Sequence, residues 1–253
     1  MRKLFSLFSL FFFACSYAQE SALDAFKEYL RDGTYEGQNW PASLPLSRYE
    51  TFKAAFSDFV DRKGKVVVEL GTSRSFVHGG LVGCNSDDPA FWTPDSPENW
   101  DWGAGFFTRM AAISLQHVHP QIYTVDVNPF HIQRCQIMTE EFKDFISYCV
   151  SPSEDFLQRC QFPEGIDLLY LDTGDMTPLE PTALLQLSEV KIIVERDLIA
   201  KRGLILIDDV KNQTPIKFGE TSSLGKAKYS LPYLLDHGFE IVMNEYQVLL
   251  RKK

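Results

Sequence analysis

The chain has 253 residues, of which 45% are hydrophobic and 23% charged, and this suffices for one main domain with a sizeable core. The net charge is −9, and no stretch is rich in Lys and Arg. Proteins that bind nucleic acid through its phosphates draw affinity from clustered basic residues. Nucleic acid is therefore not an expected partner.

Residues 1–18 have the pattern of a secretory signal peptide. A basic start precedes an apolar stretch at 4–14, and the small residues after it fit a cleavage site that leaves a mature chain beginning near Gln19. The apolar stretch is shorter than the roughly 20 residues that span a bilayer, so no stable membrane insertion is expected after cleavage. We expect an exported protein, periplasmic or secreted. An uncleaved hydrophobic or anchoring N-terminus is the alternative, and without cleavage the protein would be cytoplasmic.

Residues 19–46 are predicted to form an N-terminal helix and a linker, because apolar side chains recur at helical spacing over 20–33 and polar, Pro-bearing sequence follows. Residues 47–64 are predicted to form a second amphipathic helix that ends at Gly64. The β-branched run 66–68 comes immediately afterwards. It indicates a strand buried on both faces.

The segment 75–104 is an insertion of about thirty residues between this strand and the next predicted helix. Loops of this length in compact domains are usually functional or disordered. Trp92, Trp100 and Trp102 argue against disorder, because disordered segments are poor in aromatic residues. We expect a packed insertion that covers a cofactor or forms a wall of the substrate pocket, and a flap that only covers the core is the alternative. His78 is its single histidine and a candidate catalytic base.

Three further aliphatic runs end in aspartate, and a fifth candidate strand lies between the first two of them. The three runs span 121–129, 165–175 and 203–210, and the fifth strand lies in 145–155. Helical patterns separate these segments, at 104–118, 130–145 and 181–203. Strands that alternate with helices predict an α/β fold with a mostly parallel sheet and helices on both faces.

The last stretch, 237–253, differs from the rest because its two apolar runs are separated by only three residues, 243–245. No helix fits in so short a connection. The two runs must therefore pair as an antiparallel hairpin at one side of the sheet.

Acidic residues stand at the predicted carboxyl ends of the strands, where open parallel sheets bind ligands. They are Glu69, Asp126, Asp172, Asp208 and Asp209. A cluster of carboxylates needs a compensating ligand, cation or proton. Asp126 ends the second strand, where an acid can bind both hydroxyls of a ribose, and Gly71 lets the backbone approach such a ligand. A turn or cap is the alternative role for Asp126.

The runs VVVELGTSR (66–74) and IYTVDVNP (122–129) resemble the first two motifs of class I S-adenosylmethionine-dependent methyltransferases. The closing GFEIVMNEYQVLL (238–250) is similar to the antiparallel sixth and seventh strands of that fold, so the resemblance covers roughly residues 50–250. It implies a Rossmann-like methyltransferase domain over 47–253 with S-adenosylmethionine as cofactor. A dinucleotide-binding Gly-x-Gly-x-x-Gly is absent from this loop, which suits a cofactor without a phosphate.

The resemblance also implies a set of cofactor-binding residues. Glu69, Gly71, Thr72 and Ser73 would surround the methionine end, Asp126 would bind the ribose, and Ser153 would belong to the same site. The implied reaction is methyl transfer to a small-molecule acceptor, through a hydroxyl group.

The segments LYLDTGD (169–175) and LILIDDV (204–210) are similar to those that supply carboxylates to a divalent metal in catechol-type and macrolide-sugar O-methyltransferases. On this resemblance Asp172, Asp208 and Asp209 are metal ligands, and oxygen ligands suit Mg²⁺ or Ca²⁺. The catechol type has a lysine just after the first acid, whereas this chain has Asp175 nearby. Asp172 and His78 are therefore the candidate catalytic residues, and capping of turns by the aspartates is the alternative to a metal.

Two questions stay open at the level of sequence. An exported enzyme would need S-adenosylmethionine outside the cytoplasm, so a non-catalytic binding protein that retains the fold is the alternative function. Four cysteines remain after cleavage and could be free or paired in disulfides, and none has the Cys-x-x-Cys spacing of a metal site. They are Cys84, Cys135, Cys149 and Cys160.

Overall fold

A computed structural model of the chain describes residues 22–24, 26, 34–35, 38–39, 48–72, 106–175, 178–210 and 224–253. The expected signal peptide 1–18, the aromatic insertion 75–104 with His78 and Cys84, and Ser73 lie outside these residues. In the predicted N-terminal segment, residues 22–24 are helical, and Thr34–Tyr35 pairs antiparallel with Gln38–Asn39. No described helix is long and apolar enough to cross a bilayer.

One seven-stranded sheet organises the described domain. Its strands are β1 (Val66–Leu70), β2 (Gln121–Asp126), β3 (Ile146–Val150), β4 (Ile166–Leu171), β5 (Ile199–Ile207), β6 (Phe239–Asn244) and β7 (Val248–Lys252). Their order across the sheet is β3-β2-β1-β4-β5-β7-β6. The first five are parallel, and β7 pairs antiparallel with both β5 and β6. The predicted α/β sheet and its C-terminal hairpin are confirmed.

Six described helices connect or flank these strands. They are α1 (Tyr49–Asp61), α2 (Phe106–Leu115), α3 (Pro129–Met138), α4 (Ser153–Arg159), α5 (Leu179–Glu195) and α6 (Ser230–Asp236). Short 3₁₀ turns occupy Gln116–Val118, Glu140–Phe145 and Gly225–Lys228. The start of α3 is encoded locally, because the Asn128 side chain accepts a hydrogen bond from the Phe130 N–H and Pro129 takes the first helical position.

The central strands of the sheet are buried on both faces, as their aliphatic sequences predict. Successive residues of a strand point to opposite faces, so Leu168 belongs to one hydrophobic core and Leu169 to the other. The first core contains residues of α1, α2 and α3, and its aromatic rings stack closely, with the centroids of Phe107 and Tyr170 4.2 Å apart. The second core contains residues of α4, α5 and α6. Helices therefore cover both faces.

The predicted helix 181–203 is too long by eight residues, because α5 ends at Glu195. The N–H of Leu198 returns to the carbonyl of Ile193, and Asp197 adopts a left-handed conformation with φ of 53°, which closes the helix. The chain then enters β5 at Ile199, which pairs with β4. Strand pairing thus overrides the helical pattern of 196–203.

Two other boundaries differ from the sequence prediction. The strand predicted within 145–155 ends at Val150, and Ser153 instead begins α4. The helix predicted over 130–145 divides into α3 and the 3₁₀ turn Glu140–Phe145. Cys135, Cys149 and Cys160 are free thiols.

Candidate functional site

The carboxyl ends of β2, β1, β4 and β5 lie side by side at one edge of the sheet. The order of the strands reverses between β1 and β4, and this is where open α/β sheets bind their ligands. Backbone hydrogen bonds join the ends of the strands directly, since the N–H of Asp172 donates to the carbonyl of Leu70 and that of Gly71 to Val125. The predicted acids are therefore gathered at the carboxyl edge of the sheet.

An acidic triad follows β4 and β5. Asp172 comes after β4, Asp208 and Asp209 come after β5, and one carboxylate oxygen of each lies within 4.8 Å of the others. The structure therefore brings these three predicted residues together. The sequence did not predict the basic residues that meet them there.

Lys226 bridges two members of the triad. Its Nζ lies 3.0 Å from Oδ1 of Asp172 and 2.8 Å from Oδ2 of Asp209, and its side chain is only 3% exposed. The 3₁₀ turn that carries it packs tightly on β5, because a Cβ at Gly225 would lie 1.9 Å from the Asp209 carbonyl oxygen. The backbone N–H of Lys226 also donates to that carbonyl, at 3.1 Å. The position of the ammonium is thus fixed by backbone packing.

Arg48, the residue before α1, supplies a second cation. Its Nε donates to both oxygens of Asp208, at 2.9 and 3.0 Å, and another guanidinium nitrogen donates to Asp209 at 3.1 Å. The guanidinium lies over the ring of Tyr246, 4.4 Å from its centroid. This ion pair joins the start of α1 to the end of β5.

Neutral donors complete the hydrogen bonding of the triad. The Tyr170 hydroxyl donates to Asp208 at 2.7 Å, the Tyr246 hydroxyl donates to Asp209, and Gln247 Nε2 donates to Asp208 at 3.2 Å. Burial raises the pKa of both tyrosines well above the usual value, so each keeps its proton and acts as a donor.

The electrostatic environment shifts the pKa values of the two acids that Lys226 contacts in opposite directions. Burial raises the pKa of Asp172 to about 8, against the lowering effect of Lys226. Burial also acts to raise the pKa of Asp209, but the charges of Lys226 and Arg48 outweigh it and lower that pKa to about 2. The neighbouring acids in turn raise the pKa of Lys226 despite its burial, so the ammonium stays charged.

The donor set of the triad does not fit a divalent metal ion. Protein donors already contact Oδ1 of Asp172 and both oxygens of Asp208 and of Asp209. Mg²⁺ needs oxygen lone pairs directed at it in near-octahedral geometry, with room for several waters. Here an ammonium lies between Asp172 and Asp209, where a bridging ion would have to bind.

The end of β1 forms a second, differently built region. Gly71 has φ of 79°, and a Cβ on it would lie 2.6 Å from the carbonyl oxygen of Asp172, so the approach of β4 requires glycine here. Glu69 is fully buried and accepts hydrogen bonds from the hydroxyls of Thr108 and Thr124. The Thr72 hydroxyl lies 3.0 Å from that of Thr124. Predicted contacts of these residues with a cofactor stay predictions.

Asp126 ends β2 beside this region. It accepts hydrogen bonds from the backbone N–H groups of Thr72, at 3.1 Å, and Asn128, at 2.7 Å. His131 Nδ1 lies 3.1 Å from the same carboxylate, a contact that the sequence analysis did not identify. The turn-capping role considered for Asp126 is therefore present, and its side chain retains 11% exposure.

Ser153 lies at the start of α4, in a buried polar group that includes Glu189 of α5. Thr173 donates to Glu189 at 2.9 Å. Burial raises the pKa of Glu189 to about 7, although the hydroxyls of Ser153 and Thr173 act to lower it. In contrast to the triad, no cation contacts this carboxylate among the described residues.

Comparison with known proteins identifies the fold. No protein-family model and no curated protein matches the chain. Among solved structures, the chain is similar to the methyltransferase PaMTH1 from Podospora anserina with SAH bound, at 16% identity and a TM-score of 0.53, over 92% of this chain and 88% of that one. It is also similar to cofactor-bound Rv0187 from MTB, at 14% identity and a TM-score of 0.54, over 94% and 89%. The chain has the class I methyltransferase fold, as predicted.

Proposed function

We propose that this protein transfers a methyl group from S-adenosylmethionine to a hydroxyl group of a small molecule. The proposal rests on one arrangement: Asp126 and Asp172 flank Gly71 where the strand order of a methyltransferase-type sheet reverses. An acid beside the glycine turn suits the ribose of a nucleoside cofactor. An acid on the neighbouring strand suits a reacting hydroxyl.

Asp126 and the Gly71–Thr72 backbone would bind the cofactor. The carboxylate of Asp126 already accepts three contacts, from Thr72, Asn128 and His131. An ionised carboxylate offers about four acceptor sites, so one stays available for a ribose hydroxyl. The protein contacts hold the carboxylate in one orientation, which lowers the entropic cost of binding.

Asp172 is the group best placed to act as the base. Bound S-adenosylmethionine supplies a methyl group on a positively charged sulfur. Transfer breaks the S–CH₃ bond, whose electron pair stays on sulfur, and forms an O–CH₃ bond, while the hydroxyl proton passes to a base. Asp172 retains 15% side-chain exposure, and its pKa, raised to about 8 by burial, makes it a stronger base than an ordinary carboxylate. Lys226 fixes its orientation.

A small-molecule acceptor is supported by the likeness of segments 169–175 and 204–210 to small-molecule O-methyltransferases. The net charge of −9 disfavours a nucleic-acid acceptor. The proposal includes no metal step, because the donors around the triad do not fit a divalent ion.

The test is titration calorimetry of the full chain with S-adenosylmethionine and SAH, followed by turnover with methyl-labelled cofactor and a panel of small hydroxyl compounds. We expect binding of one equivalent of cofactor and labelled methyl ethers from at least one compound. Asp172→Asn should bind the cofactor and fail to transfer. Binding without any transfer would favour the non-catalytic binding protein, and no binding of either compound would overturn the proposal.

A further inference from the structure

The Lys226 ammonium lies between two carboxylates of the triad. Asp172 and Asp209 come from neighbouring strand ends, and Nζ of Lys226 lies within 3.0 Å of an oxygen of each. Carboxylates in this arrangement attract a cation strongly, because their charges repel in a partly dry site. The chain supplies that cation itself.

Counting formal charges shows why a third cation is not needed. The triad contributes three negative charges when all its members are ionised, and Arg48 and Lys226 contribute two positive charges. The remainder is one negative charge. A divalent ion would reverse the sign of the cluster and place a positive ion next to a buried ammonium, which is unfavourable at low dielectric.

The Lys226 ammonium has more N–H donors than it has acceptors among the described residues. A lysine ammonium has three N–H donors, and Lys226 directs two of them at Asp172 and Asp209. The third has no acceptor among the described residues. It is available for one more oxygen, as a coordination position of a metal ion would be.

We propose that Lys226 is the resident cation of this site, taking the place of a divalent metal and leaving the protein metal-independent. Its third N–H then faces the acceptor oxygen, an inference that rests on the proposed function. The methyl transfer itself is unchanged: the S–CH₃ bond breaks, the O–CH₃ bond forms and the proton goes to Asp172.

The test measures Mn²⁺ binding by electron paramagnetic resonance, in the absence of cofactor, for the full chain and for Lys226→Met. Methionine keeps the length of the side chain and removes its charge. We expect the unmodified protein to bind no stoichiometric Mn²⁺, and the variant to bind it at least about tenfold more tightly. Lys228→Met is the matched control, since Lys228 lies in the same turn and pairs with Glu180 on the surface. It should bind Mn²⁺ no better than the unmodified protein.

Each outcome decides the proposal without reference to turnover. Stoichiometric Mn²⁺ binding by the unmodified protein, removed by chelator, would overturn it, and so would a folded Lys226→Met variant with unchanged Mn²⁺ affinity. If that variant fails to melt cooperatively, Lys226→Gln replaces it, and the result for the unmodified protein still stands alone. Because no cofactor is added, failure here is distinct from failure of S-adenosylmethionine to bind.

Discussion

The carboxyl ends of β4 and β5 resemble those of β1 and β2 in sequence, because each of these strands is an aliphatic run with an acid at or next to its end. In the folded chain they differ. The triad after β4 and β5 is satisfied by charged side chains, with Arg48 on Asp208 and Lys226 between Asp172 and Asp209. Asp126 after β2 is satisfied by backbone N–H groups and one histidine.

This difference separates two uses of the same residue type. A carboxylate held by buried cations is part of the framework, and removing its cation leaves an uncompensated charge. A carboxylate held by backbone N–H groups keeps an acceptor site for a ligand. If the proposed function holds, the first region governs stability and the placement of the reacting hydroxyl, and the second governs cofactor affinity.

The largest expected effect comes from removing Arg48. Arg48→Met keeps the aliphatic stem and removes the charge, so Asp208 and Asp209 lose a buried ion-pair partner. Breaking a buried ion pair from one side costs about 3–5 kcal/mol. We expect a loss of this size in the free energy of unfolding, measured by urea denaturation at neutral pH.

Arg159→Met is the matched control for that measurement. Arg159 pairs with Asp155 at 3.7 Å on the surface, and its side chain is 81% exposed. Its removal should change stability by less than about 1 kcal/mol. Equal effects of the two substitutions would mean that Arg48 is not needed to compensate the triad.

Glu189 sharpens the comparison, because it is a buried acid that no cation of the described residues contacts. Its pKa is raised to about 7 by burial, above its ordinary value of 4.5. Between these values the unfolded chain releases the proton while the folded chain retains it, so stability is lost as the pH rises. Over this pH interval the protein loses about 3 kcal/mol of its free energy of unfolding. Glu189→Gln should therefore match the unmodified protein near pH 4.5 and be more stable at pH 8.

The measurement is urea unfolding across that pH range, with Glu195→Gln as the control. Glu195 is exposed at the end of the same helix, so its substitution should leave the pH dependence unchanged. A Glu189→Gln variant whose stability follows the unmodified protein at every pH would show that Glu189 is ionised at no cost in the folded state.

The sequence predicted the sheet and the acids because both depend on local pattern. Aliphatic runs ending in aspartate mark strand ends, and the short 243–245 connection allows only a hairpin. The predicted end of α5 was wrong because residues 196–203 continue a helical pattern in sequence. Only the pairing of Ile199 with β4, which the sequence does not reveal, makes this segment a strand.

The cations could not be predicted for a different reason. Arg48 lies 160 positions from Asp208 and Lys226 lies 54 from Asp172, so no spacing connects them. The catechol type has a lysine just after the first acid, and the sequence analysis found none at that place in this chain. A lysine does lie beside Asp172, but it comes from the turn before α6, and the close packing of Gly225 on the Asp209 carbonyl, which places it there, is visible only in the structure.

The smallest predicted effect, on cofactor affinity, concerns Asp126. Asp126→Ala removes a charged acceptor for a ribose hydroxyl and should weaken binding of S-adenosylmethionine by about 1–3 kcal/mol, measured by calorimetry. It also removes two bonds to backbone N–H groups, so the fold loses some stability and a control for that loss is needed.

Asp167 provides this control from the opposite edge of the sheet. Its carboxylate accepts bonds from the backbone N–H groups of Lys65, at 2.8 Å, and Val66, at 3.1 Å, at the amino end of β1. Asp167→Ala should therefore cost similar stability and leave cofactor affinity unchanged. If both substitutions weaken binding equally, the effect of Asp126 passes through stability alone. If neither does, Asp126 only caps its turn and takes no part in cofactor binding.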